Sequence, residues 1–491
     1  MEVIDILDFE TKKIIEILGI LQNATEDILL KSLAEKLAVH VKTVRKYLYK
    51  LQGALKDSTY QKELVLTLTE KDSVRLRNSN SLYLERFRML YIYSTPEVYI
   101  LEKVVTASPI SIVDLTNHFS ESEAKMRKRI TKIREWLKPY YLGLRHNTLE
   151  LTGTELQIRE FIAKFRWQIF QGFDSWTNGH LSGKATTLCD GLIGVLQMRV
   201  NHIQKQQLML IICIQLHRIE QKKSIALKSE MESFCLDSEL YKYFINEIRK
   251  KRAAVLSSEE YMYLFLTVLA KYAATFSRRI GDKSISDYYK SKSRVQICSY
   301  LGAKMLKQVF WEKEIIFTKK IYIAMLSFHL YHELWEGFYY EKTSALHAMT
   351  LIYPVCFLRL NQGISQLQKI SKSFKAIHKE ELLFRYFQIF TRLCSPVSLE
   401  KRKNIYLALE WPIEQKGELK TKILSFFRQR KNIKIIEAGA QTEYNNADII
   451  LTTALHPIFT NENITCPVLF ITNMDDHILF FQLESLLEDK K

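Results

Sequence analysis

IVDLTNHFSESEAKMRKRITKIREWLK, residues 112–138, is the stretch on which the fold turns. Val113, Leu115 and Phe119 are followed by SESE, in which Ser122 is a good helix N-cap. Met126, Ile130, Ile133 and Leu137 then recur at i, i+4, i+7 and i+11, the period of an amphipathic helix. Around that seam lie Lys125, Arg127, Lys128, Arg129, Lys132, Arg134 and Lys138, seven cations against the single Glu135. This is the densest basic patch in the chain. LGLRHNTLELTG, residues 142–153, follows as two short alternating runs about His146 and Asn147, which predicts a hairpin with Arg145 and His146 near its tip. A short helix, a turn, a basic helix and a hairpin together spell a winged helix-turn-helix.

The same plan stands further upstream. In LAEKLAVHVKTVRKYLYKLQGAL, residues 33–55, Leu33, Ala34 and Leu37 form one stripe, Val39 and Val41 mark a turn, and Val44, Leu48, Leu51 and Leu55 repeat the i, i+4, i+7, i+11 spacing. Ile14, Ile15, Leu18 and Leu21 supply an earlier helix, and ELVLTLTEKDSVRLRN, residues 63–78, supplies two alternating strands around Glu70 to Ser73 as a wing. The second helix carries Lys42, Thr43, Arg45, Lys46, Tyr49 and Lys50 away from its seam. Long cations with hydroxyls between them suit phosphates and base edges of double-stranded DNA. The candidate DNA-binding residues are therefore these six together with Lys125, Arg127, Lys128, Arg129, Lys132 and Arg145.

Composition agrees with a globular, multidomain chain. At roughly 150 residues per domain, 491 residues make about three domains. Apolar residues at 47%, with 15 Gly and 8 Pro, exclude a disordered or collagenous chain. No apolar run approaches the ~20 residues of a membrane span, and the acidic start MEVIDILDFE is unlike a secretory signal, so a cytoplasmic protein without membrane contact is expected. Seven scattered cysteines with no CxxC pattern predict buried thiols and no metal site. Net charge is +17, yet residues 1–155 hold 24 Lys+Arg against 21 Asp+Glu. Any DNA site near the N-terminus must therefore rest on local clustering rather than bulk charge.

Residues 156–398 read as helical almost throughout, in windows such as QLMLIICIQLHRI and KIYIAMLSFHLYHEL. These two echo one another, which suggests two bundles of similar plan. No Gly-rich phosphate loop, GxSxG or HExxH is present, so no enzyme and no cofactor is expected. After residue 398 the period changes. KNIYLALEW, IKIIEAG, ADIILTTAL and CPVLFITN are short apolar runs expected to be strands buried on both faces, with a helix over Glu414 to Arg430 and another over Asp476 to Glu488. Strands alternating with helices predict a small parallel sheet.

The sequence is thus expected to be mainly α and multidomain. Winged helix-turn-helix units fall at 1–80 and 81–155, helical bundles at 156–280 and 281–398, and an α/β domain at 399–491. In this order of parts, and most specifically in VDLTNHFSESEAKMRKRITKIREWL followed by LGLRHNTLELTGTE, the chain resembles the Mga/AtxA family of Gram-positive virulence and carbohydrate-linked transcriptional regulators. The resemblance implies that the bundles are phosphotransferase-system (PTS) regulation domains (PRDs) and that the last domain is similar to the sugar-transporter component EIIB. It further implies a homodimer that answers to PTS phosphocarrier proteins through histidine phosphorylation. Such bundles usually place the histidine about two turns before an arginine. Arg218 fits the arginine position, but Ile211 stands two turns earlier with His217 beside the arginine; in the second bundle His332 fills the slot, with Met325 before it and His329 between. His202 and His329 remain the best candidate acceptors, with His217 and His332 behind them. The EIIB-like loop LEWPIEQKG holds Glu410, Trp411 and Pro412 where a phosphocarrier needs cysteine or histidine, which points to self-association or docking of a partner rather than phosphotransfer.

Two other readings stand beside that of a DNA-binding regulator. One is a phosphotransferase-system component or phosphorylation sensor acting by protein contact. The other is an RNA-binding antiterminator, which the leucine-periodic front half argues against.

Overall fold

The computed structural model describes residues 2–487 except 70–71, 79, 107, 109, 147, 173–175, 177–178, 252–255, 339–343, 440, 461–463 and 474–476. Glu70 and Asn147, expected in the turns of the two wings, and the helix ends expected at Asp476 and Glu488 lie outside the described residues. The protein is mainly α. It divides into two compact units: residues 1–293 with 327–338, and residues 294–326 with 339–491.

The first unit begins with α1 (Phe9–Gln22), β1 (Ile28–Leu29), α2 (Leu30–Leu37), α3 (Val41–Lys56), β2 (Leu64–Leu68), β3 (Ser73–Asn78) and α4 (Ser81–Tyr93). The strands form an antiparallel sheet in the order β1-β3-β2, with Leu66 opposite Leu76. Leu33, Leu37, Val44, Leu48, Leu51 and Leu55 close one core with Ile14, Leu18 and Leu21 of α1, as their spacing requires. Leu84 and Phe87 of α4 pack in the same core.

A second winged helix follows in α5 (Pro96–Val105), α6 (Ile112–Phe119), α7 (Glu123–Leu137), β4 (Gly143–Leu144) and β5 (Leu151–Thr152). It matches the first closely. Ala38 ends α2 and Ser120 ends α6, each in the left-handed conformation, and each new helix starts three residues later. Met126 stands 82 positions after Val44, and both are fully buried. Val113, grouped with the apolar positions by sequence, is instead 63% exposed, while Leu115 carries the contact. Gly153, at φ +146, joins β5 to the next helix; a Cβ there would press on the Leu142 side chain and the Tyr141 carbonyl.

The rest of this unit is helical: α8 (Glu155–Phe170), α9 (Ser182–Val195), α10 (His202–Glu220), α11 (Ser229–Asp237), α12 (Glu239–Lys250), α13 (Ser258–Tyr272) and α14 (Arg278–Ser291). Helix α14 belongs to this unit, whose first segment ends at Ser293. Its interior holds a polar network. Arg159 donates to both Glu260 oxygens at 2.6 and 2.7 Å, Gln215 donates to Glu260 at 2.7 Å, and Arg218 clamps Glu155 through two bonds of 2.8 Å. Paired in this way, buried charges recover part of their desolvation cost.

The second unit contains α15 (Arg294–Val309), the start of α16 (Lys319–Leu334), α17 (Ser344–Ile352), α18 (Pro354–Ile370), α19 (Lys372–Lys375) and α20 (Lys379–Thr391). Its packing repeats the earlier plan: α9 packs on α12, and α12 on α11 and α13; α15 packs on α18, and α18 on α17 and α20. The two apolar windows that echo one another in sequence are α10 and α16. Four strands then alternate with helices: β6 (Arg402–Ala408), α21 (Ile413–Phe427), β7 (Asn432–Glu437), β8 (Ile449–Thr452), β9 (Val468–Phe470) and α22 (His477–Leu487). The sheet is parallel, in the order β7-β6-β8-β9. Burial on both faces holds for β8 and the end of β6; the edge strands β7 and β9 stay partly exposed because each has only one neighbour. Of the seven cysteines, all free, five are buried as expected, whereas Cys394 and Cys466 are half-buried.

Candidate nucleic-acid interface

Helices α3 and α7 place their cations by the same arithmetic. Each helical residue turns by roughly 100°, so positions one and two past a seam residue point away from the core. Arg45 and Lys46 follow Val44; Arg127 and Lys128 follow Met126; all four are exposed. Lys42, Tyr49, Lys50, Lys125 and Lys132 are exposed as well, and Thr43 is half-buried. On the second wing Arg145 and His146 are exposed. The two helices thus present matching Arg–Lys pairs at equivalent turns.

Arg129 does not join them. It is 8% exposed, and its guanidinium is enclosed by Glu97, to which it donates, by Glu121 at 3.0 Å and by Asp8 at 3.5 Å. The reason is positional. Three residues past Met126 is roughly 60° from the seam, at the margin of the buried face; Tyr47, in the equivalent place after Val44, is buried too. Burial works against the charge of Arg129, and the hydrogen bonds to Glu121 and Glu97 outweigh it, so the cation is retained. Burial pushes the Glu97 carboxyl up despite the arginine beside it. Arg129 is therefore a cross-brace between α5, α7 and the segment before α1, not a member of the exposed ridge.

Several of the outward cations carry internal partners. Lys46 and Lys50 of α3 reach the two oxygens of Glu10 at 2.9 and 2.6 Å, and Arg45 meets Asp72 in the first wing at 2.6 Å. Hydrogen bonds from Lys50 and Lys46 hold the Glu10 carboxyl below its ordinary value. On α7, Lys125 pairs with Glu121 at 2.5 Å and the Arg127 Nε donates to Glu123 at 2.8 Å. Arg145 faces Glu150 at 3.3 Å. The Lys132 amine donates to the Leu7 carbonyl at 2.7 Å, and burial lowers its pKa. Arg134 donates to the Leu144 and Arg145 carbonyls, fastening α7 to its own wing. Lys42 and Lys128 have no ion-pair partner among the described residues. Exposed pairs of this kind are weak and exchange readily for phosphate. The sequence reading missed the acidic partners because Asp8, Glu10 and Glu97 lie far away in the chain; the N-cap position of Asp8 was their one local signal.

The histidines separate by burial. His202 is exposed at the first position of α10. His217 is half-buried, against the Trp176 ring at 4.6 Å and Gln221 at 2.9 Å, and burial lowers its pKa. His329, one of the two leading candidates by sequence, is 4% exposed, and burial, with His332 nearby, pushes its pKa down to about 3. A phosphoryl acceptor needs a ring nitrogen open to a partner, and the His329 ring is enclosed in the folded chain. His332 is half-buried against Phe328 and Tyr331. In the C-terminal sheet, Glu410, Trp411 and Pro412 occupy the turn between β6 and α21.

Two winged helix-turn-helix units with matching basic ridges define a protein of the class that binds duplex DNA. Residues 80–165 match the family model of the Mga helix-turn-helix domain. That match covers α4, the second winged helix and most of α8, and is consistent with a regulator of the Mga family. It supports DNA binding and control of transcription. No curated protein matches the chain. No helix among the described residues is long and apolar enough to cross a membrane.

Proposed function

We propose that this protein is a transcriptional regulator that lays α3 and α7 against promoter DNA, with both wings on the flanking phosphates, and that it has no catalytic activity of its own. The observation that carries the reading is the repeated exposed Arg–Lys pair, Arg45–Lys46 and Arg127–Lys128, at equivalent turns of two equivalent helices. Lysines and arginines outnumber Asn and Gln on these faces, so phosphate contacts and DNA deformability would carry much of the affinity. Acetylation footprinting tests the placement. Duplex DNA should shield Lys42 and Lys128 from acetylation while leaving Lys290 and Lys292 of the helical region reactive; no shielding of either ridge lysine would refute it.

The helical segments are read as two PRD-like bundles and the C-terminal sheet as EIIB-like, in keeping with their repeated packing order and with the parallel strand order. PTS phosphocarrier proteins are proposed to act on the first bundle. Exposure at the start of α10 favours His202 as their target. A homodimer through the C-terminal region is favoured by Val468 and Phe470 on the edge strand β9 and by Phe481 on α22, all exposed. Sedimentation of the full chain at micromolar concentration checks it: a monomer would remove the dimer from this reading without touching the DNA interface. The turn at Glu410 to Pro412, without a nucleophile, weighs against the alternative of a phosphotransferase component.

A further inference from the structure

A cleft of about 1070 Å³ opens in the first unit between the second wing, the start of α6 and the end of α10. Five cations line it: Lys103, Arg145, Arg218, Lys222 and Lys223. The three carboxylates in its walls are each engaged. Glu155 is clamped by Arg218, Glu150 faces Arg145, and Asp114 accepts from the Ser111 amide and hydroxyl at 2.9 and 2.7 Å. Lys103, Lys222 and Lys223 meet no carboxylate among the described residues; the Lys103 amine lies 5.3 Å from the Tyr99 ring. Ser108, Thr148 and Ser224 add hydroxyls to the lining.

Amines without counter-ions around a concave wall raise the local positive potential, and that potential is focused where water is partly excluded. The volume is at the upper limit of that of small-molecule sites. A duplex is a convex rod and cannot enter such a cleft, whereas a small anion can. We propose that this cleft binds a small, multiply phosphorylated anion between Lys103 on one side and Lys222 and Lys223 on the other. Because residues Thr148 to Thr152 of the wing form part of the wall, the bound anion holds the wing against the first bundle. This assignment goes beyond the DNA reading and does not depend on it.

The test is calorimetric titration of the full chain, without DNA and at physiological salt, with pyrophosphate and with fructose 1,6-bisphosphate as probes. Saturable binding of one molecule per chain is expected for at least one probe. It should weaken at least about tenfold in the exposed double variant Lys222→Gln/Lys223→Gln, and stay unchanged in the control Lys290→Gln/Lys292→Gln. The stronger probe tells an organic bisphosphate from inorganic phosphate. At a concentration a hundredfold above Kd, ligand should slow amide exchange across residues 143–152 by up to about a hundredfold. Failure of both probes to saturate, or equal weakening in the control variant, overturns the site. Loss of duplex affinity in the Lys222/Lys223 variant, with no saturation by either probe, would assign those lysines to DNA and overturn it as well. Binding without slower exchange at the wing would overturn the coupling.

Discussion

Glu10→Gln should strengthen DNA binding while making it more sensitive to salt. In the free protein the Glu10 carboxylate accepts from Lys46 at 2.9 Å and Lys50 at 2.6 Å, and so occupies two ridge cations of α3 in the manner of a phosphate. A neutral amide keeps the size of the side chain and gives up the charge. Each lysine that then reaches a DNA phosphate adds about 0.9 to the slope of log affinity against log salt, or about 1.8 for both. Between 50 and 200 mM salt that extra slope multiplies the loss of affinity by about 3.5-fold for one lysine and about 12-fold for two. Fluorescence anisotropy of a labelled AT-rich duplex, titrated at both salt concentrations, measures that ratio directly. A ratio within twofold of the parent protein, or weaker binding of the variant in dilute salt, would refute the idea that Glu10 competes with DNA for these amines.

The remaining predictions concern buried charges and the histidines. Arg129→Ala leaves Glu97 buried without its cation and should cost about 3–5 kcal/mol of stability in the N-terminal region, whereas Arg127→Ala should lie within about 0.5 kcal/mol; thermal unfolding followed by circular dichroism compares them, and equal effects would contradict the burial of Arg129. As pH falls below 6.5 the unfolded chain takes up a proton at His329 that the folded chain refuses until about pH 3, so stability is fully present above 6.5 and declines by up to about 1.4 kcal/mol per pH unit on acidification. His329→Leu should flatten that decline, and an unaltered pH profile would contradict it. Incubation with PTS phosphocarrier proteins, followed by phosphopeptide mapping, should leave His329 unlabelled; label there would mean that α16 opens to admit a partner.

Much of this architecture is legible in the sequence because it follows from short-range periodicity. The i, i+4, i+7, i+11 seams from Val44 and from Met126 fix two helices, and the residues just past each seam fix what faces outward. The parallel sheet is legible in its apolar runs, although periodicity cannot say which strands lie at the edge; β7 and β9 are more exposed for that reason alone. What local pattern does not convey is pairing across the chain. Arg129 reads as one more basic residue until Glu97, Glu121 and Asp8 are brought around it. Even so, its place three residues past Met126 marks the margin of the buried face, as Tyr47 does after Val44. His329 shows the same limit: its type and spacing suit an acceptor, but its burial is set by contacts that local pattern does not convey.

If the exposed Arg–Lys pairs of α3 and α7 lie on duplex DNA, reversing their charge must weaken binding without unfolding the chain. The direct measurement is the affinity of the full chain, and of its Arg127→Glu/Lys128→Glu variant, for a duplex in dilute salt, with circular dichroism on both. The parent is expected to bind, and the variant, equally helical, to bind at least about a hundredfold more weakly. Equal binding by the two proteins, or no binding by the parent even in dilute salt, would contradict it.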